Sequence, residues 1–259
     1  GMDMLPVGDP TAAGGAAGMG AAPDAPATSD DPAGEPDTGD DTTPSGPDAP
    51  ADPADDPAAD LGMGDGSDVI AIGDSWMNLG TVGIQQSLAA ASGQPYRAYG
   101  VPGTRLLDEA IPGQYAAARA ENPDIKTVVV TGGGNDILQN PLLLLDCPAL
   151  GQSCMDTMDM IGLRYEELAA ELAADGVEDI IIVNYSRGTA LGPAPVEYAW
   201  EALAPFCEQS SPVDCHLVDP DEVAGGTMPL RDGIHPTDAG YDMLGEHIYD
   251  LMVDGGMRR

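Results

Sequence analysis

The sequence predicts an α/β protein in which a five-stranded parallel sheet forms the middle layer of a three-layer α/β/α sandwich. From about Ser67 onward, short apolar runs alternate with longer amphipathic segments, a pattern typical of βαβ units. Two of these runs, at 127–131 and 179–184, are nearly continuous β-branched sequence, as expected for strands that are buried on both faces. We therefore assign one folded domain to residues 67–259.

Hydrophobic spacing locates the elements of this domain. A long helix is predicted before Gly176, because Ile161, Leu168 and Leu172 recur at helical spacing. A C-terminal helix follows Pro236-Thr237 and carries its apolar face at 241, 244, 248 and 251. The five predicted strands are 69–72, 96–99, 127–131, 179–184 and 216–218.

Residues 1–66 differ sharply in composition from the rest of the chain. They contain 15 acidic residues and 11 prolines but no Lys, Arg or aromatic residue. Such a segment cannot bury enough apolar surface to offset the entropy lost on ordering. We predict a disordered acidic linker rich in Pro, Ala and Gly; it has no Asp-x-Asp-x-Asp-Gly loop that would indicate calcium binding.

The whole chain is strongly acidic, with a formal net charge of −35. Nucleic acids and anionic membrane surfaces are repelled by such a chain, so we expect neither as a partner. The sequence contains no run of about 18 apolar residues and no basic start that leads into an apolar core. We therefore expect no transmembrane segment and no intact signal peptide.

The four cysteines form two close pairs in loop-like sequence, Cys147 with Cys154 and Cys207 with Cys215. Four cysteines permit three pairings, and we favour the two local disulfides. A zinc site is the alternative, but neither pair has the two-residue spacing of a zinc knuckle, so we expect no metal. Paired cysteines favour a secreted, periplasmic or surface-tethered protein.

The first polar cluster is Gly73-Asp74-Ser75-Trp76, directly after the first predicted strand. The carboxyl edge of an open α/β sheet is where such folds place their sites. We expect a helix to begin here, with its N–H groups and dipole favouring negative charge near the Ser75 hydroxyl. Alternatively, Asp74 or Ser75 is a helix cap.

The second cluster, Gly132-Gly133-Gly134-Asn135-Asp136, follows the third predicted strand. The glycines would let the backbone approach a ligand, and Asn135 offers an amide donor. An ordinary glycine-rich turn is the alternative. No Gly-Lys-Ser/Thr follows, and the third glycine of the dinucleotide fingerprint is absent, so neither phosphate motif is present.

The third cluster is Asp232-Gly233-Ile234-His235-Pro236, just before the last helix. Asp232 could bind one ring nitrogen of His235 and leave the other free to take a proton from a serine. A loop clamp or half a metal site is the alternative. A serine, an oriented histidine and an amide donor together favour acyl transfer. The Gly-x-Ser-x-Gly elbow of other serine hydrolases is missing: the most similar segment, residues 184–188, has Asn184 in place of the first glycine.

The three clusters and a glycine block at Gly100-Val101-Pro102-Gly103-Thr104 resemble, in order, the four blocks of the SGNH (GDSL-type) hydrolases. The resemblance covers nearly all of residues 67–259 and implies a flavodoxin-like sheet without metal or organic cofactor. It implies that Ser75 attacks, that His235 is the general base and acid, and that Asp232 orients His235. It further implies an oxyanion hole formed by the backbone N–H groups of Ser75 and Gly103 and by the side chain of Asn135.

Two features depart from the family pattern. The glycine block offers both Gly100 and Gly103, and we prefer Gly103 for its distance past the strand. Trp76 stands where the family usually has an aliphatic residue, either lining the acyl pocket or packed under the first helix.

We expect a monomeric serine esterase that acts on short acyl esters or sugar O-acetyl esters, small or polysaccharide, through an acyl-serine intermediate. A thioesterase or a lysophospholipase of the same fold is an alternative. A binding protein that has lost turnover is another, but every residue type that the chemistry needs is present.

Overall fold

The computed structural model describes residues 65–257, and these residues form an α/β/α sandwich around a five-stranded, fully parallel sheet. The strand order β2-β1-β3-β4-β5 is that of flavodoxin-like folds, so the predicted fold class is confirmed. The strands are β1 Val69–Ile72, β2 Arg97–Ala98, β3 Thr127–Val130, β4 Asp179–Val183 and β5 Asp214–Val218. The linker predicted for residues 1–66 lies outside the described residues, except for Asp65 and Gly66.

Residues 65–257 also form eight α-helices, six before β5 and two after it. Their bounds are α1 Ile84–Ser92, α2 Ala110–Glu121, α3 Gly134–Leu138, α4 Pro141–Asp146, α5 Gln152–Ala174, α6 Pro193–Gln209, α7 Pro220–Val223 and α8 Asp238–Asp254, with a 3-10 turn at Cys147–Ala149. The two helices predicted from periodicity correspond to α5 and α8. None of the helices described is long and apolar enough to cross a membrane.

The core lies on both faces of the central strands, because every residue of β1, β3 and β4 is buried. On one face, α1 packs so closely on α8 that a Cβ at Gly245 would come within 2.4 Å of the Ser87 backbone. On the other face, Arg119 of α2 forms an ion pair of 2.6 Å with Asp175, the residue directly after α5. Since all strands run in one direction, the loops after β1, β3 and β4 meet at one edge of the sheet.

The two expected disulfides are both present, with Cα–Cα distances of 5.0 Å for Cys147–Cys154 and 4.9 Å for Cys207–Cys215. The prediction that they lie in loops was wrong. The second residue of the first pair lies in α5, and the other pair joins α6 to β5. Pro205 is accommodated inside α6, so that helix runs on through Cys207.

Candidate active site

Ser75 lies in a single turn directly after β1, where it is half-buried. The expected helix does not begin here, because Gly80 and Gly83 take φ values of +87° and +152° and the chain becomes helical only at Ile84. The turn is closed instead by a hydrogen bond of 3.0 Å from Asn78 N to Asp74 O. The proposed contribution of a helix dipole at Ser75 is therefore wrong.

The loop before α8 brings His235 and Asp232 to this serine. Nε2 of His235 is 2.9 Å from Ser75 Oγ, and its Nδ1 is 2.7 Å from Asp232 Oδ2. An antiparallel β-bridge between Leu230 and Pro236 closes the base of the loop, and Thr237 directly afterwards is the N-cap of α8. Ser75, His235 and Asp232 thus form one continuous hydrogen-bonded chain.

Asp232 also organises its own loop. Its Oδ1 accepts hydrogen bonds from the backbone N–H groups of Ile234 at 3.0 Å and His235 at 2.8 Å. The backbone N–H and the imidazole of His235 are the main causes that lower the pKa of Asp232 to about 2. The carboxylate therefore stays ionised and can stabilise a positive charge on His235 at any pH above that range.

Asn135 sits at the start of α3, with its amide facing the glycine-block loop. Its Nδ2 donates to the carbonyl oxygen of Thr104 at 3.1 Å and lies 3.5 Å from Asp74 Oδ2. That loop is in turn bound to the end of β1, because Val101 N and Thr104 Oγ1 both donate to Gly73 O. Blocks from three strands therefore meet around Ser75.

Gly103 and Gly100 occupy different environments in this loop. Gly103 is exposed, with φ +80° and little around it, and its carbonyl accepts from Gln139 Nε2 at 2.8 Å. Gly100 is buried, and a Cβ there would meet the Met77 side chain at 2.8 Å. Among residues 65–257, no hydrogen bond uses the backbone N–H of Gly103 or that of Ser75. Both donors are available to a ligand.

A buried carboxylate supports the turn from beneath. Asp74 accepts hydrogen bonds from Tyr185 Oη at 2.5 Å, Trp76 N at 3.0 Å and Thr131 Oγ1 at 3.1 Å. Burial raises the pKa of Asp74, and these three donors oppose that rise. Burial also raises the pKa of Tyr185 well above its ordinary value, so its hydroxyl remains a donor.

Two further supports were missed by sequence reasoning. Gln114 on α2 binds both sides of Gly73, donating to its carbonyl oxygen at 2.9 Å and accepting from its N–H at 2.6 Å. Asp136 accepts from the N–H groups of Leu106 and Leu107 at 2.9 and 3.0 Å. Asp136 belongs to a block that the sequence had singled out, whereas nothing in the sequence around Gln114 distinguishes it.

The three glycines before Asn135 are required by packing rather than by an approaching ligand. A Cβ would meet the side chain of Ile111 at 2.7 Å from Gly132, that of Ile161 at 2.9 Å from Gly133 and that of Tyr185 at 2.7 Å from Gly134. They line an apolar cavity of about 30 Å³ under α5 and α6. Large neighbours therefore fill the space in which side chains would otherwise stand.

Ser186 lies in the segment whose sequence most resembles a Gly-x-Ser-x-Gly elbow. It is fully buried and donates to Asp221 Oδ1 at 2.6 Å. Arg187 completes this cluster through an ion pair of 2.8 Å with Asp219. No histidine takes part in its described hydrogen bonds and ion pairs. The cluster joins the loop after β4 to the start of α7 and presents no free hydroxyl.

Comparison with models of known protein families identifies the family of this chain. The model of the GDSL-like Lipase/Acylhydrolase family matches residues 63–243, which is more than half of the chain. The chain belongs to this family. It is therefore an ester-hydrolysing enzyme of the SGNH type, as the sequence predicted.

Solved structures of similar fold include the lipase Lip_vut3 from a goat rumen metagenome, at 16% identity and a TM-score of 0.56; the match covers 73% of this chain and 98% of that one. TesA is 21% identical, with a TM-score of 0.52 and coverage of 73% and 99%. A catalytic mutant of Axe2, an acetylxylan esterase from Geobacillus stearothermophilus, is 18% identical, with a TM-score of 0.51 and coverage of 74% and 96%. These likenesses concern the fold. No curated protein matches the sequence.

Proposed function

We propose that this SGNH hydrolase is a serine esterase in which Ser75 is the nucleophile, His235 the general base and acid, and Asp232 the residue that orients His235. The observation that carries the proposal is the hydrogen-bonded chain from Ser75 Oγ through both ring nitrogens of His235 to Asp232. Both distances lie within the range for proton transfer and orientation.

In the first half-reaction, Ser75 Oγ attacks the carbonyl carbon of the ester while His235 Nε2 takes the hydroxyl proton. The tetrahedral intermediate collapses as His235 returns that proton to the leaving alcohol oxygen, which leaves an acyl-Ser75 ester. A water molecule then attacks the acyl carbon and gives its proton to His235. Release of the carboxylic acid restores the Ser75 hydroxyl.

The oxyanion formed in each half-reaction needs donors that do not have to reorganise. We assign this role to the backbone N–H groups of Ser75 and Gly103 and to Asn135 Nδ2. The two backbone groups bind no acceptor among the described residues. The contact of Asn135 with Asp74 is long at 3.5 Å, so that hydrogen is weakly held and can be shared with a substrate oxygen beside it.

Short acyl esters and sugar O-acetyl esters are the substrates that we propose first. The glycine-block loop is open to solvent at Gly103, so a bulky alcohol part such as a saccharide could extend away from Ser75. Acetylxylan esterase activity is described for one structure of the same fold. Small-molecule and polysaccharide esters both remain within this proposal.

A second candidate, hydrolysis of long-chain acyl esters or lysophospholipids, is favoured by an exposed aliphatic rim. Leu142 and Leu145 on α4 are 76% and 81% exposed, and Val101 in the glycine-block loop is 49% exposed. Gln139, just before α4, binds Gly103 O and so connects the two segments. An acyl chain that leaves Ser75 on this side would cover apolar surface that water now contacts.

Turnover of p-nitrophenyl esters from acetyl to palmitoyl and of acetylated xylan tests both candidates. Ser75→Ala should abolish turnover on every ester. Ser186→Ala, the same change at a buried serine outside the site, should retain kcat wherever its thermal midpoint shows a folded protein. A rate that falls steadily with chain length and is unaffected by Leu142→Ser and Leu145→Ser would exclude the long-chain candidate.

We further propose that the enzyme works outside the cytoplasm. All four cysteines are in disulfides, a state that reducing compartments do not maintain. Fractionation of expressing cells with thiol labelling of each fraction tests this: recovery of the protein mainly in the cytosol with free thiols would contradict it.

A further inference from the structure

We infer that Trp76 is a positioning residue that fixes His235 against Ser75 through the carbonyl oxygen of Ile234. The inference rests on the proposed roles of Ser75 and His235. Its basis is a hydrogen bond of 2.9 Å from Trp76 Nε1 to Ile234 O, between segments 158 residues apart in sequence.

This bond runs beside the reacting pair. Trp76 directly follows Ser75, and Ile234 directly precedes His235. Two consecutive residues of one segment therefore bind two consecutive residues of the other, one link through the indole and one through the serine hydroxyl. A shift of the loop that separates His235 Nε2 from Ser75 Oγ has to break or bend the indole bond as well.

The indole is itself held on several sides. The side chain is 1% exposed, and the backbone of Trp76 is fixed on both sides: its backbone N–H donates to Asp74 Oδ1 at 3.0 Å, and its carbonyl oxygen accepts from Ile84 N at 3.1 Å. The rings of Trp76 and Tyr185 pack edge to face, with their centroids 5.2 Å apart and an angle of 78° between their planes. A side chain fixed in this way can impose its position on a loop.

The other hydrogen bonds of the loop at residues 231–236 are made with segments that do not carry Ser75. Gly233 O accepts from Ala190 N at 2.8 Å, in the loop after β4, and Arg231 binds the loop's own Pro236 O together with Asp238 at the start of α8. Among the described hydrogen bonds of residues 231–236, only that of Trp76 and that of His235 itself reach the segment that carries Ser75.

Trp76 does not contact the reacting atoms, so its effect should appear in kcat rather than in substrate binding. A shift of about 1 Å in a reacting group can cost about 100-fold in rate. Trp76→Phe keeps an aromatic ring in the core but removes the N–H. We expect this variant to lose about 10- to 100-fold in kcat on p-nitrophenyl acetate, with KM within threefold of wild type.

Trp200→Phe on α6 is the matched control, because it makes the same chemical change in a half-buried indole away from the site. Both variants should lose a few degrees in thermal midpoint, but Trp200→Phe should keep kcat within twofold. A role that is only structural predicts similar kcat for both variants, and that result would overturn the inference.

A second comparison separates action through His235 from any other effect. In a His235→Ala background, Trp76→Phe should change the residual turnover by less than threefold, because there is no imidazole left to position. The same fold loss in both backgrounds would contradict the inference. If Ser75→Ala or His235→Ala itself keeps wild-type turnover, the proposed function fails first, and the two failures are thus distinguishable.

A measurement on the wild-type protein covers the case in which Trp76→Phe does not fold. With ¹⁵N-labelled tryptophan, two indole N–H signals are expected, and Trp200→Phe identifies the one that belongs to Trp76. That signal should exchange slowly with D₂O and should change its chemical shift when His235 is replaced by Ala, because the indole N–H is bound to the residue before His235. Fast exchange, or a chemical shift that is the same in wild type and in His235→Ala, would overturn the inference.

Discussion

The side-chain amide of Asn135 donates a hydrogen bond of 3.1 Å to the carbonyl oxygen of Thr104, the residue after Gly103. This contact joins the block after β3 to the glycine block, and it holds the amide at the same loop whose Gly103 N–H is free for a ligand. One proton of the amide is thereby anchored, and the other has only the long contact of 3.5 Å with Asp74 Oδ2. The bond between Asn135 and Thr104 therefore positions two donors, the Asn135 amide and the Gly103 N–H, which lie in the loops after two different strands.

Replacing Asn135 by Ala tests this arrangement. If the amide binds the developing oxyanion, its bond strengthens in the transition state, so kcat should fall by about 10² to 10³, or about 3 to 4 kcal/mol, with KM little changed. Kinetics and thermal midpoint are measured on the same preparation. A folded variant whose kcat is within a few-fold of wild type would mean that Asn135 only shapes the turn.

Asp232 should make stability depend on pH in a defined direction. Its pKa is lowered to about 2 by the N–H and imidazole of His235, whereas an unfolded Asp titrates at about 3.9. Its contribution is therefore complete above about pH 4 and is lost as the pH falls through about 2. The difference in unfolding free energy between wild type and Asp232→Asn, from urea titrations, should shrink over this interval; a constant difference would refute the assignment.

The two disulfides should differ in their effect on activity. Each closes a short loop, with separations of 7 and 8 residues, so loss of either should cost about 2 to 3 kcal/mol of stability. The double serine variant at Cys147 and Cys154 loosens α4, which follows Asn135, and should lower kcat. The matching variant at Cys207 and Cys215 should lower the thermal midpoint alone. Equal kcat for both would contradict this distinction.

Deletion of residues 1–64 should leave the enzyme nearly unchanged. Asp65 and Gly66 are retained, because they hydrogen-bond to Ser67 and Val69 at the entry to β1. An acidic segment without aromatic residues offers little surface for lasting contact with the domain. On a neutral ester, kcat/KM should stay within tenfold, about 1.4 kcal/mol; a larger loss would indicate that the segment helps to build the site.

The strands were predictable because their signal is local. An apolar β-branched run such as 127–131 is both a strand former and a buried surface, and the structure contains β3 there with a difference of one residue. The candidate site residues could be named because their motifs lie at the ends of such strands. Their spatial contact, such as that between Ser75 and His235, 160 residues apart in sequence, required a structure.

The failures have a different origin. The turn at Ser75 was mistaken for a helix start because the positive φ value of Gly83 depends on packing: a Cβ at Gly83 would come within 2.4 Å of Met77 O. Gln114 could not be recognised, because a buried amide in a helix has no sequence signature. Long-range polar contacts of single side chains carry no periodic pattern, and they are what completes this site.

Labelling of the active serine tests the central claim most directly. Wild-type protein is treated with a fluorophosphonate, digested and mapped by mass spectrometry, alongside His235→Ala. The account predicts one adduct, on Ser75, formed at a rate that falls by orders of magnitude when His235 is replaced and that parallels the loss of ester turnover. An adduct on another residue such as Ser186, or ester turnover that survives Ser75→Ala, would contradict it.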